Sequence, residues 1–164
     1  MLVRHTRPCG GAGICYGTTD LAAAPGFEPE ALHIAGRIAL RIGPADRIVS
    51  SPLRRCTALA EALAEHLAAP LTLDPRWAEM DFGAWEGRPW DEIPRAELDT
   101  WAADLLHARP HGGESVAMLA ARVAEAIAAC PASERTVVVT HAGPIRAALA
   151  SWDRPVGYGE AIAP

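Results

Sequence analysis

The sequence has little of what marks a nucleic-acid or membrane protein. Its 164 residues carry 15 Lys and Arg residues against 20 Asp and Glu residues, for a formal net charge of −5. Nucleic-acid binders that work through broad electrostatics are usually basic over a whole face, so this charge balance argues against that class. No run of about 18 apolar residues is present, which is the length that a membrane-spanning helix requires. We therefore expect neither a nucleic-acid nor a membrane partner.

Disulfide and zinc frameworks are absent as well. Cys9, Cys15, Cys56 and Cys130 form no Cys-x-x-Cys pair and no zinc-ribbon spacing, so we expect reduced thiols. No charged leader or apolar signal core precedes the first strand, and cytoplasm is the expected compartment. No internal repeat or linker divides the chain, so residues 1–164 are expected to form one domain.

What is present is a polar end to the first apolar run. Leu2 and Val3 are followed at once by Arg4, His5 and Thr6, as in a buried strand whose carboxyl end opens into a site. Ligands bind at that edge of open α/β sheets. Guanidinium matches phosphate oxygens, and neutral imidazole can accept a phosphoryl group covalently. The pattern therefore indicates chemistry on a phosphorylated ligand.

The rest of the chain alternates between helical and strand patterns. Strands are predicted at residues 46–50, 71–74 and 135–140, and helices at residues 29–42, 56–67, 116–127 and from Pro144 onwards. The Gly- and Pro-rich residues 8–29 are predicted to form a binding loop, residues 77–90 an irregular stretch, and residues 91–108 a weak helix. This alternation predicts an α/β fold, a three-layer α/β/α sandwich with a mainly parallel central sheet.

Several side chains are assigned to packing or to the surface. Ile127 is predicted on the buried face of its helix, and Trp152 on that of the last helix. The tryptophans at positions 77, 85 and 90 are interpreted as packing residues. The histidines at positions 33, 66, 107 and 111 are interpreted as surface or loop residues.

Two strands end in the same way. Leu2-Val3-Arg4-His5 and Val138-Val139-Thr140-His141 both finish in an imidazole, and Ser51 to Arg55 follow a third strand. If the strands are central and parallel, both imidazoles and at least two guanidiniums lie at one edge of the sheet. Taken alone, His141 would be interpreted as a polar loop residue and Arg55 as a solvated residue of a first helical turn.

At these positions the chain resembles the histidine phosphatases, the family that includes cofactor-dependent phosphoglycerate mutases. Arg4-His5-Thr6 resembles the family's opening motif, usually Arg-His-Gly, and residues 50–56 resemble its Ser-Pro-Leu-x-Arg-Ala segment. Residues 79–87 resemble its acid-bearing segment, and residues 112–115 and 139–143 complete the set. The five motifs occur in the family's order, and the resemblance implies a phosphoglycerate mutase-like fold.

The resemblance also implies roles. His5 would be the nucleophile that becomes phosphohistidine, and Glu79 the proton donor to the leaving oxygen. Arg4, Arg55 and His141 would hold the phosphoryl oxygens, with His141 counted among the catalytic residues. Fixed cations aimed at three phosphoryl oxygens supply several kcal/mol, so neither a metal nor a cofactor is expected.

Other residues compete for these roles or extend them. Asp81 and Glu86 are alternatives to Glu79 as the acid, although the spacing before Phe82-Gly83 favours Glu79. Further candidate contacts to the substrate are Thr6, Tyr16 and Ser51.

The predicted function is a metal-independent phosphomonoesterase acting on a small phosphorylated metabolite. Residues 14–20, following Arg-His-Thr and Pro8, resemble those of α-ribazole phosphatases, which act in cobalamin assembly, so α-ribazole 5′-phosphate is the specific substrate predicted. Thr6 departs from the family's usual Gly, the first strand is short, and the end at Pro164 leaves little for a last strand.

Three alternatives stay open. Phosphoglycerate mutase-type transfer is one, although the chain has little material to enclose a second phosphate. A non-catalytic module that binds a phospho-ligand is another. A zinc hydrolase using His5, His141 and a carboxylate is the third, disfavoured by the lack of a close His-x-x-x-His spacing. A homodimer is also left open.

Overall fold

The computed structural model describes residues 1–163 and is built around a five-stranded sheet. The strands are β1 (Leu2–Arg4), β2 (Arg47–Ser50), β3 (Leu71–Leu73), β4 (Thr136–Thr140) and β5 (Ala161–Ile162). Their order across the sheet is β3-β2-β4-β1-β5. The first four are parallel to one another, and β5 runs antiparallel to β1. The predicted mainly parallel sheet is confirmed, and the chain does supply a short last strand.

Helices cover both faces of the sheet. They are α1 (Glu28–Ile42), α2 (Arg54–Leu67), α3 (Arg95–Ala103), α4 (Val116–Ala128) and α5 (Ala142–Ala148). Val3, Val137 and Val139 point into a core shared with α1 and α2. Leu2 and Val138 point into the opposite core, shared with α4 and α5. Successive strand residues face opposite sides, so β4 is apolar on both of its faces, and the predicted three-layer sandwich is confirmed.

Local chemistry sets the helix ends. Pro lies in the first turn of α1, where its missing N–H costs no helical hydrogen bond. Gly43 ends that helix with a φ of 73°, a conformation that glycine adopts without strain. The Ser115 side chain accepts a hydrogen bond from the backbone N–H of Met118 and so caps α4.

The structure corrects two helix predictions. Ile127 is exposed, because the buried stripe of α4 runs through Val123 and Ala126 instead. Helix α5 ends at Ala148, where the chain turns through Ala150 at a φ of 49°. Trp152 therefore lies beyond the helix, although it still packs at the edge of the core.

A third, smaller core lies beneath the loops. It corrects the expectation that His111 lies at the surface. Cys15 and Trp85 are its buried centre, together with Ile93. His111 is buried against the Trp85 ring, with 4.8 Å between ring centroids, rather than on the surface. Cys15 is likewise inaccessible. Such contacts join distant segments, and local periodicity carries no sign of them.

Across residues 1–163, no helix combines the length and the apolarity that crossing a bilayer demands.

The packing of α2 on the sheet yields a stability prediction. Leu59 is fully buried in the core shared by α1 and α2. Leu59→Ala should lower the free energy of unfolding by about 2–5 kcal/mol, because it removes apolar contacts and leaves a cavity. Urea denaturation measures the change. Leu40→Ala, at a side chain that is 91% exposed, is the control and should change it by less than about 0.5 kcal/mol. Equal effects in both variants would contradict this packing.

Candidate active site

Strand register places the two histidines side by side. β1 pairs with β4 so that Arg4 lies opposite Thr140, and the residue after each is a histidine. The backbone N–H of His5 donates to the Thr140 carbonyl at 2.9 Å. The two imidazole centroids are 5.0 Å apart with 62° between the ring planes. The structure thus confirms the prediction that both imidazoles lie at one edge of the sheet.

The His5 ring is held with one nitrogen free. Its Nδ1 lies 2.7 Å from the backbone oxygen of Thr6. A carbonyl oxygen only accepts hydrogen bonds, so Nδ1 carries the proton. Nε2 therefore keeps its lone pair, which is the form that a nucleophilic imidazole needs.

The electrostatics also favour a neutral His5. Burial is the largest cause that lowers the pKa of His5 to about 3, outweighing the Thr6 hydrogen bond, which acts in the opposite direction. The positive charges of Arg55 and Arg4 lower it further. Desolvation contributes more to this shift than the two arginines do. His5 is unprotonated across the neutral pH range.

His141 is fixed from the neighbouring strand. β2 pairs with β4, and the Ser51 N–H donates to the Val139 carbonyl at 3.0 Å. This places the Ser51 hydroxyl 2.8 Å from Nε2 of His141. The Cys56 thiol lies 3.3 Å from the same nitrogen. Burial is the largest cause that holds the pKa of His141 well below its ordinary value, and the charges of Arg55 and Arg4 act in the same direction.

Two arginines flank the histidines. The guanidinium of Arg4 donates to the Val156 carbonyl and stacks 3.9 Å from the centroid of the Tyr158 ring. Arg55 is fully buried and donates to the carbonyls of Gly17 and Thr19. Both arginines thus tie the site to segments distant in the chain. Arg54, by contrast, is exposed, as the sequence suggested.

Three buried polar atoms of this region have no hydrogen-bond partner within residues 1–163. They are Nε of Arg4, Nε of Arg55 and Oγ1 of Thr6. A buried donor without an acceptor costs free energy comparable to a lost hydrogen bond. All three can donate to an anion, which is the ligand that the surrounding charge favours.

Glu79 is the carboxylate beside the histidine pair. Its Oε2 lies 3.4 Å from the Gly143 N–H, two residues after His141. Burial raises the pKa of Glu79, against hydrogen bonds from Met80 and Gly143 and the charges of Arg55 and Arg4. A carboxyl group with a raised pKa is suited to proton donation.

The competing acids have other contacts. Glu86 accepts hydrogen bonds from the backbone and hydroxyl groups of Thr18 and Thr19. Burial alone would raise the pKa of Glu86, but these hydrogen bonds outweigh it and the pKa is lowered. Asp81 is exposed and accepts from the Gly83 N–H. Glu86 therefore holds the loop in place, and Glu79 is the carboxyl suited to act as the acid.

A tyrosine pair covers His5. The hydroxyls of Tyr16 and Tyr158 are 3.1 Å apart, and the Tyr158 ring lies 5.6 Å from the His5 ring. His5 is only 1% exposed. Tyr16 was a predicted substrate contact, whereas sequence reasoning missed Tyr158. Tyr158 lies near the end of the chain, beyond any helical pattern. No sequence pattern therefore indicates that its ring lies over His5.

No group of three or more His, Cys, Asp or Glu side chains within residues 1–163 is placed to hold a metal ion. The zinc hypothesis required His5, His141 and a carboxylate to form such a group.

The family model described as the histidine phosphatase superfamily (branch 1) matches residues 1–158. The chain belongs to this superfamily. Probable phosphoglycerate mutase GpmB of Erwinia tasmaniensis is 30% identical over 148 residues, which cover 85% of this chain and 67% of that protein. Its counterpart in Escherichia fergusonii is 31% identical over 132 residues, covering 76% of this chain and 60% of that protein. The chain thus spans 60–67% of the length of these relatives.

A solved structure is similar in fold and sequence. Mycobacterial glucosyl-3-phosphoglycerate phosphatase Rv2419c, in complex with VO3, is 32% identical with a TM-score of 0.74. The match covers 91% of this chain and 78% of that chain. The phosphoglycerate mutase-like fold that the motifs implied is confirmed.

The site of this chain contains a free imidazole nitrogen, a carboxyl group with a raised pKa and two guanidinium groups. Such a set can attack phosphorus, protonate the leaving oxygen and neutralise the charge that spreads over the phosphoryl oxygens.

The histidine pKa values give a prediction in solution. Between pH 8 and pH 5, the His5 side chain should stay neutral with its proton on Nδ1, because burial and nearby arginines disfavour the charged ring. Long-range ¹H–¹⁵N correlation spectra distinguish the tautomers, and the exposed His33 and His66 serve as internal references. Protonation of His5 with a midpoint near 6.5, or a proton on Nε2, would contradict the geometry described above.

Proposed function

We propose that the protein is a metal-independent phosphomonoesterase that works through a phosphohistidine intermediate. The observation that carries this proposal is the pairing of His5 with His141 at one sheet edge, with their ring centroids 5.0 Å apart and the Nε2 lone pair of His5 free. The family match supports it, since the superfamily includes phosphatases and mutases.

In the first step, Nε2 of His5 attacks the phosphorus atom of the ester. The N–P bond forms as the bond to the ester oxygen breaks, and Glu79 gives its proton to that oxygen. The alcohol leaves, and the phosphoryl group stays on His5.

In the second step, a water molecule attacks the phosphohistidine. Glu79, now a carboxylate, takes the proton from water as the O–P bond forms and the N–P bond breaks. Inorganic phosphate is released, and both side chains return to their starting states.

Two guanidiniums and a neutral imidazole around His5 lower the activation barrier of both steps. Charge in the transition state is spread over three phosphoryl oxygens. Arg4, Arg55 and His141 surround His5, and donors fixed before the reaction stabilise that charge without reorganisation. Ser51 orients His141, and Thr6 adds a buried hydroxyl.

For the substrate we propose a small phosphorylated metabolite, with α-ribazole 5′-phosphate as the first candidate. The support is the resemblance of residues 14–20 to the α-ribazole phosphatases. Arg55 holds the carbonyls of Gly17 and Thr19 in this segment, so the loop lies directly beside the phosphate-binding cations.

Phosphoglycerate mutase activity is a second candidate, favoured by the names of the relatives in Erwinia and Escherichia. A ³¹P NMR assay with 3-phosphoglycerate separates the two. A phosphatase releases inorganic phosphate, whereas a mutase produces 2-phosphoglycerate.

Replacing the nucleophile and the acid should give different results. His5→Ala should abolish turnover and the ³²P label that an alkaline denaturing quench preserves on the enzyme, because the nitrogen that forms the N–P bond is removed. Glu79→Gln should slow release of an alkyl alcohol by about 10²–10⁴-fold. With 4-nitrophenyl phosphate the loss should be smaller, since that leaving group departs without a proton. Ligand binding with no turnover and no label in the wild type would favour a non-catalytic module.

Glu86→Gln is the matched control for Glu79→Gln. It removes a carboxylate that holds the loop rather than one that serves the leaving oxygen. Its loss should therefore be the same for alkyl and 4-nitrophenyl esters. A leaving-group-dependent loss in Glu86→Gln, and not in Glu79→Gln, would reassign the acid.

The dependence of kcat/KM on pH follows from the two shifted groups of the free enzyme. His5 must be deprotonated, and its pKa is lowered to about 3, so activity falls only in strong acid. Glu79 must be protonated, and its pKa is raised above the ordinary value of 4.5, so activity falls as pH rises through that pKa. The profile for an alkyl ester should therefore have a falling limb on its alkaline side. Glu79→Gln should remove the falling limb, and a limb that persists would assign it to another group.

A further inference from the structure

A small aromatic cavity adjoins the catalytic acid. Its volume is about 170 Å³, and its walls are Ile14, Tyr16, Gly17, Glu79, Phe82 and Trp90. The Phe82 and Trp90 rings meet edge to face, 5.7 Å apart. Trp90 is 37% exposed, so the cavity opens to solvent on its side. The proposed mechanism assigns no ligand to this space.

The cavity lies between the acid and the phosphate-binding cations. Glu79 forms one wall. Gly17 forms another, and its carbonyl accepts a hydrogen bond from Arg55. The Arg55 guanidinium carbon also lies 5.1 Å from the centroid of the Tyr16 ring. An ester whose phosphoryl group contacts Arg55 and whose oxygen faces Glu79 would therefore extend its alcohol portion into this cavity.

The lining favours an uncharged planar group. Three of the six wall residues are aromatic, one is isoleucine, and none is cationic. A cavity of about 150 Å³ with apolar walls accommodates one benzene ring. Aromatic rings in edge-to-face or offset contact gain about 0.5–1.5 kcal/mol beyond their buried area. A carboxylate would find no positively charged partner among these six residues.

The neighbouring cavity does not suit a carboxylate either. It also reaches Glu79, and its walls include Asp81 and Glu114. The one cation there, Arg122, is engaged by both Glu114 oxygens at 2.7 and 2.8 Å. Neither of these two cavities would therefore favour the carboxylate of a phosphoglycerate. A third cavity beside Glu79 contains Arg146, whose Nε donates to the Arg154 carbonyl.

We propose that this cavity is the leaving-group site and that it selects phosphate esters of alcohols bearing an aromatic ring over those of glyceric acid. The proposal rests on the phosphomonoesterase function and names its substrate class.

The test compares four phosphate esters with the wild-type enzyme: 2-phenylethyl phosphate, propyl phosphate, 3-phosphoglycerate and phosphocholine. The first two release alcohols of similar basicity, so their difference reports binding of the ring. We expect kcat/KM for 2-phenylethyl phosphate to exceed that for propyl phosphate by at least about 10-fold, and 3-phosphoglycerate to be the poorest.

Each outcome has a distinct meaning. No hydrolysis of any ester would overturn the phosphomonoesterase function itself. Hydrolysis with equal kcat/KM for the phenylethyl and propyl esters would overturn the aromatic site while leaving that function in place. A preference for 3-phosphoglycerate, or for phosphocholine with its quaternary ammonium group, would also overturn it.

Trp90→Ala tests the assignment to this cavity. The variant should reduce the phenylethyl-to-propyl ratio of kcat/KM by about 10-fold, because one wall of the ring site is lost. Leu40→Ala removes an exposed apolar side chain from α1 and should leave the ratio unchanged. Ile14→Ala is the second cavity variant, and unchanged ratios in both cavity variants would place the ring elsewhere.

Discussion

The parallel pairing of β1 with β4 is the constraint on which the site depends. Because Arg4 lies opposite Thr140, the next residue on each strand is a histidine, and the two rings come within 5.0 Å. The side chains of each strand enter both cores, and a slip of one residue would exchange the core that each of them enters. The two hydrophobic cores on either side of β4 therefore fix the catalytic geometry as well as the fold.

The two arginines of the site stay positively charged, whereas its two imidazoles stay neutral. The chain contains no lysine, so Arg4 and Arg55 supply guanidinium groups that stay protonated at any physiological pH. Burial of His5 and His141 acts in the opposite direction on the imidazoles, since the charged ring is the form that desolvation penalises. The site thus presents cationic donors beside a lone pair that no proton occupies, the combination that the proposed attack on phosphorus requires.

Much of this arrangement could be predicted from residue order. The valines of β4 and the periodic apolar positions of α1 and α2 identify buried elements, and a histidine after two strands identifies the sheet edge. The burial of His111 and Cys15, and the position of Tyr158, could not be predicted. These depend on contacts between segments far apart in the chain, whereas hydrophobic periodicity reports only on the element that contains it.

The same limit applies to charge. Sequence spacing favoured Glu79 over Glu86, but only the folded chain shows that Glu86 is occupied by two threonines. The dominant part of the His5 shift comes from burial, a property of the assembled layers and not of any motif.

The tyrosine pair has an optical consequence. Tyr16 and Tyr158 are the only two tyrosines in the chain, and they contact each other above the nucleophile. Burial and this contact raise the pKa of the Tyr16 phenol to about 12. Every phenolic absorption band of the protein therefore comes from the two tyrosines that cover His5. Ionisation of these phenols in alkali reports whether the tyrosine pair still covers His5.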